Sequence, residues 1–124
     1  MSILSRQEAA DLIIRRIGKA HREHLVVLSL DTHKKLIAMD TVSVGTLDAL
    51  LVHPRETFLP AIKRHASSVI IAHNHPSGEL EPSENDLVVC KRLATAGRIL
   101  GIEVEDSIIV GRDGYLSLRE KGVI

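Results

Sequence analysis

Two short apolar segments most constrain how this chain of 124 residues can fold. His24–Asp31, HLVVLSLD, and Ser68–Ala72, SVIIA, are rich in β-branched and aliphatic residues and predict buried strands. After a polar turn at Asp31–Lys34, Leu36–Val44 predicts a strand that returns beside the first. Strands this apolar need neighbouring elements to cover them, so a sheet inside a folded core is expected.

Helical patterns surround these strands. They occupy about 5–18, 54–66 and 83–100, and a hairpin pattern occupies 102–118. Pro60 lies inside the second helical pattern, where it must either kink the helix or mark its first turn. The resulting order, α-β-β-α-β-α-β-β, predicts an α/β (α+β) domain with a central sheet and helices packed against it.

The composition excludes several kinds of partner. Sixteen basic and sixteen acidic residues cancel, and Phe58 and Tyr115 are the only aromatic residues, so this domain alone should bind DNA weakly. The sequence has no apolar run long enough for a membrane span and no signal-peptide pattern. A single cysteine, Cys90, excludes an internal disulfide and fits a reducing compartment. We therefore expect a cytoplasmic protein without a membrane partner, with self-association left open.

The stretch 73–86, HNHPSGELEPSEND, carries the candidate chemistry. Its simplest interpretation is a turn followed by a helix start, with Ser83 as the N-cap and Asp86 in the first turn. That interpretation explains Ser83 and Asp86 but leaves the histidines unexplained. At a strand end, His73 and His75 point to the same face, where two protonated imidazoles would repel each other. A metal ion binds both rings in their neutral form and removes this conflict.

His73, His75 and Asp86 therefore form a candidate zinc site of the catalytic type, with three protein ligands and a fourth position for water. Such a site also requires a general base to take the proton of the water. The residues alone leave several candidates open: Glu23, Glu56, Glu79, Glu81 and Glu84.

Three alternatives follow from other features. Cys90 lies four residues after Asp86 and could complete a closed structural zinc site, although a lone buried cysteine is more often a small core residue. The basic residues Arg15, Lys19 and Arg22 recur at helical spacing and could meet phosphate in a nuclease or a DNA-repair protein, although such stripes are usually solvated. A non-catalytic interaction module with the same fold is the third alternative.

The spacing His73-x-His75-Pro76, six residues, Ser83, two residues, Asp86 resembles the H-x-H-P-x(6)-S-x(2)-D motif of JAMM (MPN-type) metalloproteases at every position. Further blocks narrow the resemblance to the bacterial RadC family over essentially the whole chain: 44–47 (VGTL), 53–56 (HPRE), 73–78 (HNHPSG) and 116–120 (LSLRE). The resemblance implies a JAMM/MPN domain with a mixed sheet in a three-layer, cytidine-deaminase-like architecture. It also implies a zinc cofactor and hydrolysis of amide or isopeptide bonds in a peptide or protein substrate.

The resemblance also assigns roles to two further residues. The family places a glutamate at the start of the strand preceding the motif, which makes Glu23 the general acid/base, and Ser83 would polarise the scissile carbonyl. Longer RadC-like proteins carry an N-terminal helix-hairpin-helix segment for which this sequence shows no counterpart. We therefore expect one JAMM/MPN domain over 1–124, equivalent to the C-terminal domain of a longer protein or a short version of it. Asp106-Ser107 stands where the family often has Asp-His.

Overall fold

The computed structural model describes residues 3–48 and 52–124, which form three helices and five strands. The helices are α1 (Arg6–Ile17), α2 (Pro54–Lys63) and α3 (Glu84–Leu100). The strands are β1 (His24–Leu30), β2 (Leu36–Val44), β3 (Ser68–Asn74), β4 (Glu103–Val110) and β5 (Tyr115–Ser117).

The five strands form one mixed sheet in the order β2-β1-β3-β4-β5. Strands β3 and β4 run parallel, and the other neighbouring pairs are antiparallel. Parallel neighbours require a long crossover connection, which α3 provides between β3 and β4. The prediction of an α+β domain with a central mixed sheet is confirmed.

Helices cover both faces of the sheet, because successive residues of a strand point to opposite sides. On one face, Val26 packs in a cluster with Ile13 of α1. On the other face, its neighbour Val27 packs in a cluster with Phe58 of α2 and Leu93 of α3. The sheet is therefore the middle of three layers, and its central strands are buried along almost their whole length.

Two boundaries differ from the sequence prediction. Helix α2 ends at Lys63 rather than 66, because His65 adopts a left-handed conformation with φ of 54°. The helix begins at Pro54 and continues through Pro60, so Pro60 does not mark the first turn. Strand β3 continues two residues past its predicted end, because His73 and Asn74 still pair with β4. This extension brings the first histidine of the motif into the ordered sheet.

Candidate metal centre

The end of β3 orients the two histidines of the motif. The rings of His73 and His75 lie on the same side of the strand, with centroids 5.0 Å apart. Asn74 points the other way, where its Oδ1 accepts the backbone N–H of His24 at 2.7 Å and its Nδ2 donates to Arg22 O at 3.0 Å. The alternation predicted from the sequence is therefore present, and the intervening asparagine holds the start of β1.

His75 is fixed beyond the strand by two hydrogen bonds. Its backbone N–H donates to Val110 O at 3.0 Å, and its ring Nδ1 lies 2.7 Å from Glu79 O. A carbonyl oxygen can only accept, so Nδ1 carries the proton of this bond. In the neutral ring, Nε2 is then an unprotonated lone-pair donor that faces the cluster, which is the state a metal ligand requires.

Asp86 reaches the histidines from the first turn of α3. Ser83 caps this helix, because its Oγ accepts the Asp86 N–H at 3.0 Å while Asp86 Oδ2 accepts the Ser83 N–H at 2.9 Å. Asp86 Oδ1 lies 3.2 Å from His73 Nε2, and Oδ2 lies 3.0 Å from His75 Nε2. The capping box therefore aims the carboxylate at both rings.

The surroundings of Asp86 favour its charged form. The residue is only 7% exposed, and this burial by itself raises the pKa. The hydrogen bond with His73, the backbone N–H of Ser83 and the charges of both histidines outweigh burial, so the pKa of Asp86 lies well below its usual range. The cluster thus contains a buried carboxylate that stays ionised.

The donor atoms of this cluster fit a metal ion. Suitable ligand atoms of His73, His75 and Asp86 lie within 4.8 Å of one another, and the two Nε2 atoms are 3.2 Å apart. Ligands about 2.0–2.1 Å from a tetrahedral zinc are roughly 3.3 Å from each other, so the observed separations suit that ion. With Nδ1 of His75 protonated, its Nε2 and Asp86 Oδ2 are two acceptors in contact, which only a shared cation or an extra proton reconciles.

Glu23 lies beside this cluster but is not part of it. It borders the same cleft of about 510 Å³ as His75, Ser83 and Asp86. Its Oε2 accepts the backbone N–H of Leu47 at 2.8 Å, which fixes the carboxylate at the wall of the cleft. Glu23 therefore lies at the wall of the cleft that His75, Ser83 and Asp86 also border, and its role as an acid/base stays a prediction.

The other candidate glutamates divide into two groups. Glu79 and Glu81 also border the cleft, on the loop between β3 and α3. Glu56 and Glu84 are not among the described residues that line it, and Glu56 pairs instead with Arg55 at 3.7 Å on the surface of α2. Proximity to the cleft thus narrows the five candidates to three.

Cys90 does not belong to the cluster. The described ligand-type side chains that converge are His73, His75 and Asp86. Cys90 is 1% exposed and packs with Ile109 and Leu118, and this burial raises the pKa of its thiol. The closed zinc site with Cys90 as fourth ligand is therefore not formed, because one helical turn beyond Asp86 the side chain already faces the core.

Asp106 and Ser107 are structural. Asp106 accepts hydrogen bonds from Ser117 Oγ at 2.7 Å and from Arg6 Nε at 3.0 Å, and Ser107 O accepts the backbone N–H of Leu118. These contacts join β4 to α1 and to the C-terminal segment. The departure from Asp-His at this position leaves the metal cluster unaffected.

Sequence reasoning missed the residues that hold the cleft wall. Asn74 fixes the start of β1 through its hydrogen bond with the His24 N–H. The side chain of Asn85 donates to the backbone O of Leu47, and the backbone N–H of Leu47 donates to Glu23. No local sequence pattern predicts these hydrogen bonds, since each joins segments far apart in the chain. The one available signal was Asn74, a polar residue in an apolar strand between the two candidate histidine ligands.

An α+β domain with a buried His-His-Asp cluster at the end of a central strand has a JAMM-like site that could hold a metal ion. The chain belongs to the RadC-like JAB domain family, whose match covers residues 3–123. Among the described residues, none forms a helix long and apolar enough to cross a membrane.

Several bacterial relatives carry the name UPF0758 protein. The one from Rubrobacter xylanophilus is 50% identical over 123 residues, covering 98% of this chain and 54% of the relative. The one from Desulfitobacterium hafniense is 44% identical over 122 residues, with 98% and 54% covered. The one from Geobacillus thermodenitrificans is 46% identical over 118 residues, with 95% and 52% covered. The chain thus spans about half the length of the curated relatives it matches.

Proposed function

We propose that this domain is a zinc-dependent hydrolase that cleaves an amide or isopeptide bond in a peptide or protein substrate. The observation that carries the proposal is the position of Glu23 in the cleft that His75 and Asp86 of the cluster also border, outside the ligand set. A purely structural metal site would not need a cleft or a neighbouring carboxylate. Membership of the JAB-domain family supports the same chemistry.

His73, His75 and Asp86 would hold the metal through two neutral imidazoles and one carboxylate. When bound, zinc lowers the pKa of a coordinated water to about 7 and polarises a carbonyl group. The protein supplies the orientation, because Glu79 O fixes the ring of His75 and the Ser83 N–H fixes the carboxylate of Asp86.

Glu23 would move the proton. Hydrolysis adds water across the amide, so one proton must leave the attacking water and reach the departing amine nitrogen. Leu47 N–H occupies Oε2 of Glu23, and Oε1 is left to accept that proton and deliver it. A carboxylate held by one backbone hydrogen bond could make both transfers without being a metal ligand.

Ser83 would assist at the carbonyl. Its Oγ already accepts the N–H of Asp86 as the helix cap, which leaves the hydroxyl proton available to donate. A donor at the rim of the cleft can stabilise the negative charge that develops on the carbonyl oxygen during attack. The cap and the proposed catalytic role use different parts of the same hydroxyl.

The test is a screen of internally quenched peptides and isopeptide-linked substrates with the zinc-loaded protein. We expect turnover that disappears after dialysis against a chelator and returns when zinc is added back. The variant His73→Ala, purified in the same way, should be inactive under all three conditions. Turnover that survives chelation, or that His73→Ala retains, contradicts the proposal, and so does a zinc-loaded protein that cleaves nothing in the library.

A further inference from the structure

The cleft at the metal centre continues into two others. A cleft of about 560 Å³ shares Glu23, Thr46 and Pro76 with it. A third cleft, of about 360 Å³, shares His21 and Pro76 with this second cleft. It also shares Ser77 with the cleft at the metal centre. We call the second and third clefts together the lateral groove; it is lined by residues 18–23, 45–46, 76–78 and 112. The lateral groove therefore adjoins the cleft at the metal centre, beside the segment that follows α1.

Charge changes sign between the cleft at the metal centre and the lateral groove. Besides the metal ligands, Glu23, Glu79 and Glu81 border the cleft at the cluster. In the lateral groove, Glu23 is the only acidic residue among the described residues of the lining. Arg22 lines the same inner cleft as Glu23, and Lys19 and Arg112 line the third cleft. The acidic cleft and the basic lateral groove thus favour ligand groups of opposite charge.

The three cations have no carboxylate partner among the residues that the structure describes. Their side chains are also exposed, so no neighbouring group covers them. Unpaired basic side chains around a concave surface retain their positive potential, which concave walls concentrate. This arrangement favours an anionic ligand group.

Glycines let three backbone segments approach one another closely beside the lateral groove. A Cβ placed on Gly18 would lie 3.0 Å from Gly111 O, and one on Gly111 would lie 3.1 Å from Gly78 O. Three loops therefore meet through bare backbone, and Lys19 and Arg112 directly follow two of these glycines in the chain. Both residues line the third cleft, and both are exposed to solvent.

Arg22 lies at the junction between the groove and the metal centre. Its Nη2 would be 3.7 Å from a Cβ on Gly45, so the guanidinium lies over the loop that follows β2. The next residue is Glu23, whose backbone O accepts the Gly45 N–H at 2.7 Å. The proposed acid/base and a cation are thus adjacent on one rigid segment.

From this geometry we propose that the groove binds a carboxylate of an acidic peptide substrate, with Lys19, Arg22 and Arg112 as its specificity-determining residues. The proposal rests on the proposed hydrolase function, since it places the carboxylate beside the bond presented to the metal centre. Either an Asp or Glu side chain or a free peptide C-terminus provides such a group. A guanidinium binds a carboxylate through paired hydrogen bonds, and Lys19 adds a further charge.

The experiment measures fluorescence anisotropy with labelled peptides, so it does not depend on turnover. The probes are hexaglutamate with an amidated C-terminus, hexaglutamine with a free C-terminus and amidated hexaglutamine as a neutral reference. The test variant is Lys19→Glu/Arg112→Glu in the zinc-loaded chain. The matched control is Lys91→Glu/Lys121→Glu, which changes the net charge equally at exposed positions that do not line the groove. Zinc content and circular dichroism verify that both variants are folded.

We expect hexaglutamate or free-ended hexaglutamine to bind more tightly than the neutral reference at low salt, and the tighter of the two identifies the source of the carboxylate. The groove variant should weaken that binding at least about tenfold, and the control should change it less than about twofold. Equal weakening by both variants, no preference over the neutral peptide, or tighter binding of an oligothymidylate of twelve nucleotides would overturn the proposal. If the peptides bind as expected but the substrate screen shows no hydrolysis, only the proposed hydrolase function is contradicted.

Discussion

Asn74 Oδ1 accepts the backbone N–H of His24 at 2.7 Å, across 50 residues of sequence. The asparagine stands between the two candidate metal ligands, and His24 follows the candidate acid/base, Glu23. The same amide also donates to Arg22 O at 3.0 Å. One buried side chain therefore sets the position of the proposed proton-transfer residue relative to the metal cluster.

Replacing Asn74 with alanine should destabilise the fold. The substitution leaves the His24 N–H and the Arg22 carbonyl without their partner, and such losses typically cost about 1–3 kcal/mol of unfolding free energy. Urea denaturation monitored by circular dichroism measures this difference. Gln7→Ala, which removes an exposed amide bonded to Asp11, serves as the control and should stay within about 0.5 kcal/mol. Equal losses of unfolding free energy in the two variants would show that the hydrogen bonds of Asn74 stabilise the fold no more than an exposed side-chain contact does.

His73→Ala and His75→Ala should each lose zinc. The wild-type chain should retain one zinc per molecule after dialysis against a mild chelator, because three converging donors bind it together. Elemental analysis after dialysis gives the stoichiometry. His53→Ala is the control, since that side chain is exposed and makes no capping hydrogen bond. Full zinc content in both His73 and His75 variants would show that the ligand assignment is wrong.

Glu23→Gln should keep zinc and the fold but lose activity. The amide can still accept the Leu47 N–H, yet it cannot take a proton from water. Removal of general-base assistance typically costs about 10²–10⁴ in rate. The measurement pairs elemental analysis with initial rates on a substrate identified in the screen, and Glu56→Gln on the surface of α2 is the control. A Glu23→Gln enzyme that turns over at the wild-type rate would move the role to Glu79 or Glu81, which share the cleft.

Cys90→Ala should leave the metal unaffected and cost a little stability. The thiol packs with Ile109 and Leu118, so alanine leaves a small cavity worth about 1 kcal/mol of unfolding free energy. Denaturant titration and elemental analysis of the same sample separate the two effects. Loss of zinc from this variant would instead favour the structural site that includes Cys90.

The pair formed by Asp40 and Arg64 should make stability depend on pH in the acidic range. Hydrogen bonds from the guanidinium hold the pKa of Asp40 below its usual range despite some burial. A depressed folded-state pKa contributes stability above the unfolded-state pKa of about 3.9, and this contribution disappears as the pH falls through the lower folded value. The unfolding free energy of Asp40→Asn should therefore fall less between pH 6 and pH 3 than that of the wild type. Asp113→Asn, on the exposed hairpin, is the control, and identical pH slopes for Asp40→Asn and wild type would contradict this account.

The sequence by itself determined the local elements and the spacing of the candidate ligands. Alternation along β3 places His73 and His75 on one face, and the capping pair of Ser83 and Asp86 is encoded within four residues. These features follow from backbone geometry that each segment carries with it. The sequence prediction extended α2 to residue 66, because no local signal reveals the left-handed conformation of His65 that follows the helix.

Only the tertiary structure decided what surrounds the ligands. The sequence left five glutamates open as the base until the family resemblance selected Glu23, and the fold shows that Glu23 reaches the cleft because β1 pairs antiparallel with β3 and Asn74 fixes its start. The same packing turned Cys90 into the core and brought the loops of Gly18, Gly78 and Gly111 into contact. Strand order and loop contacts join residues tens of positions apart, and no local periodicity encodes which distant segments become neighbours.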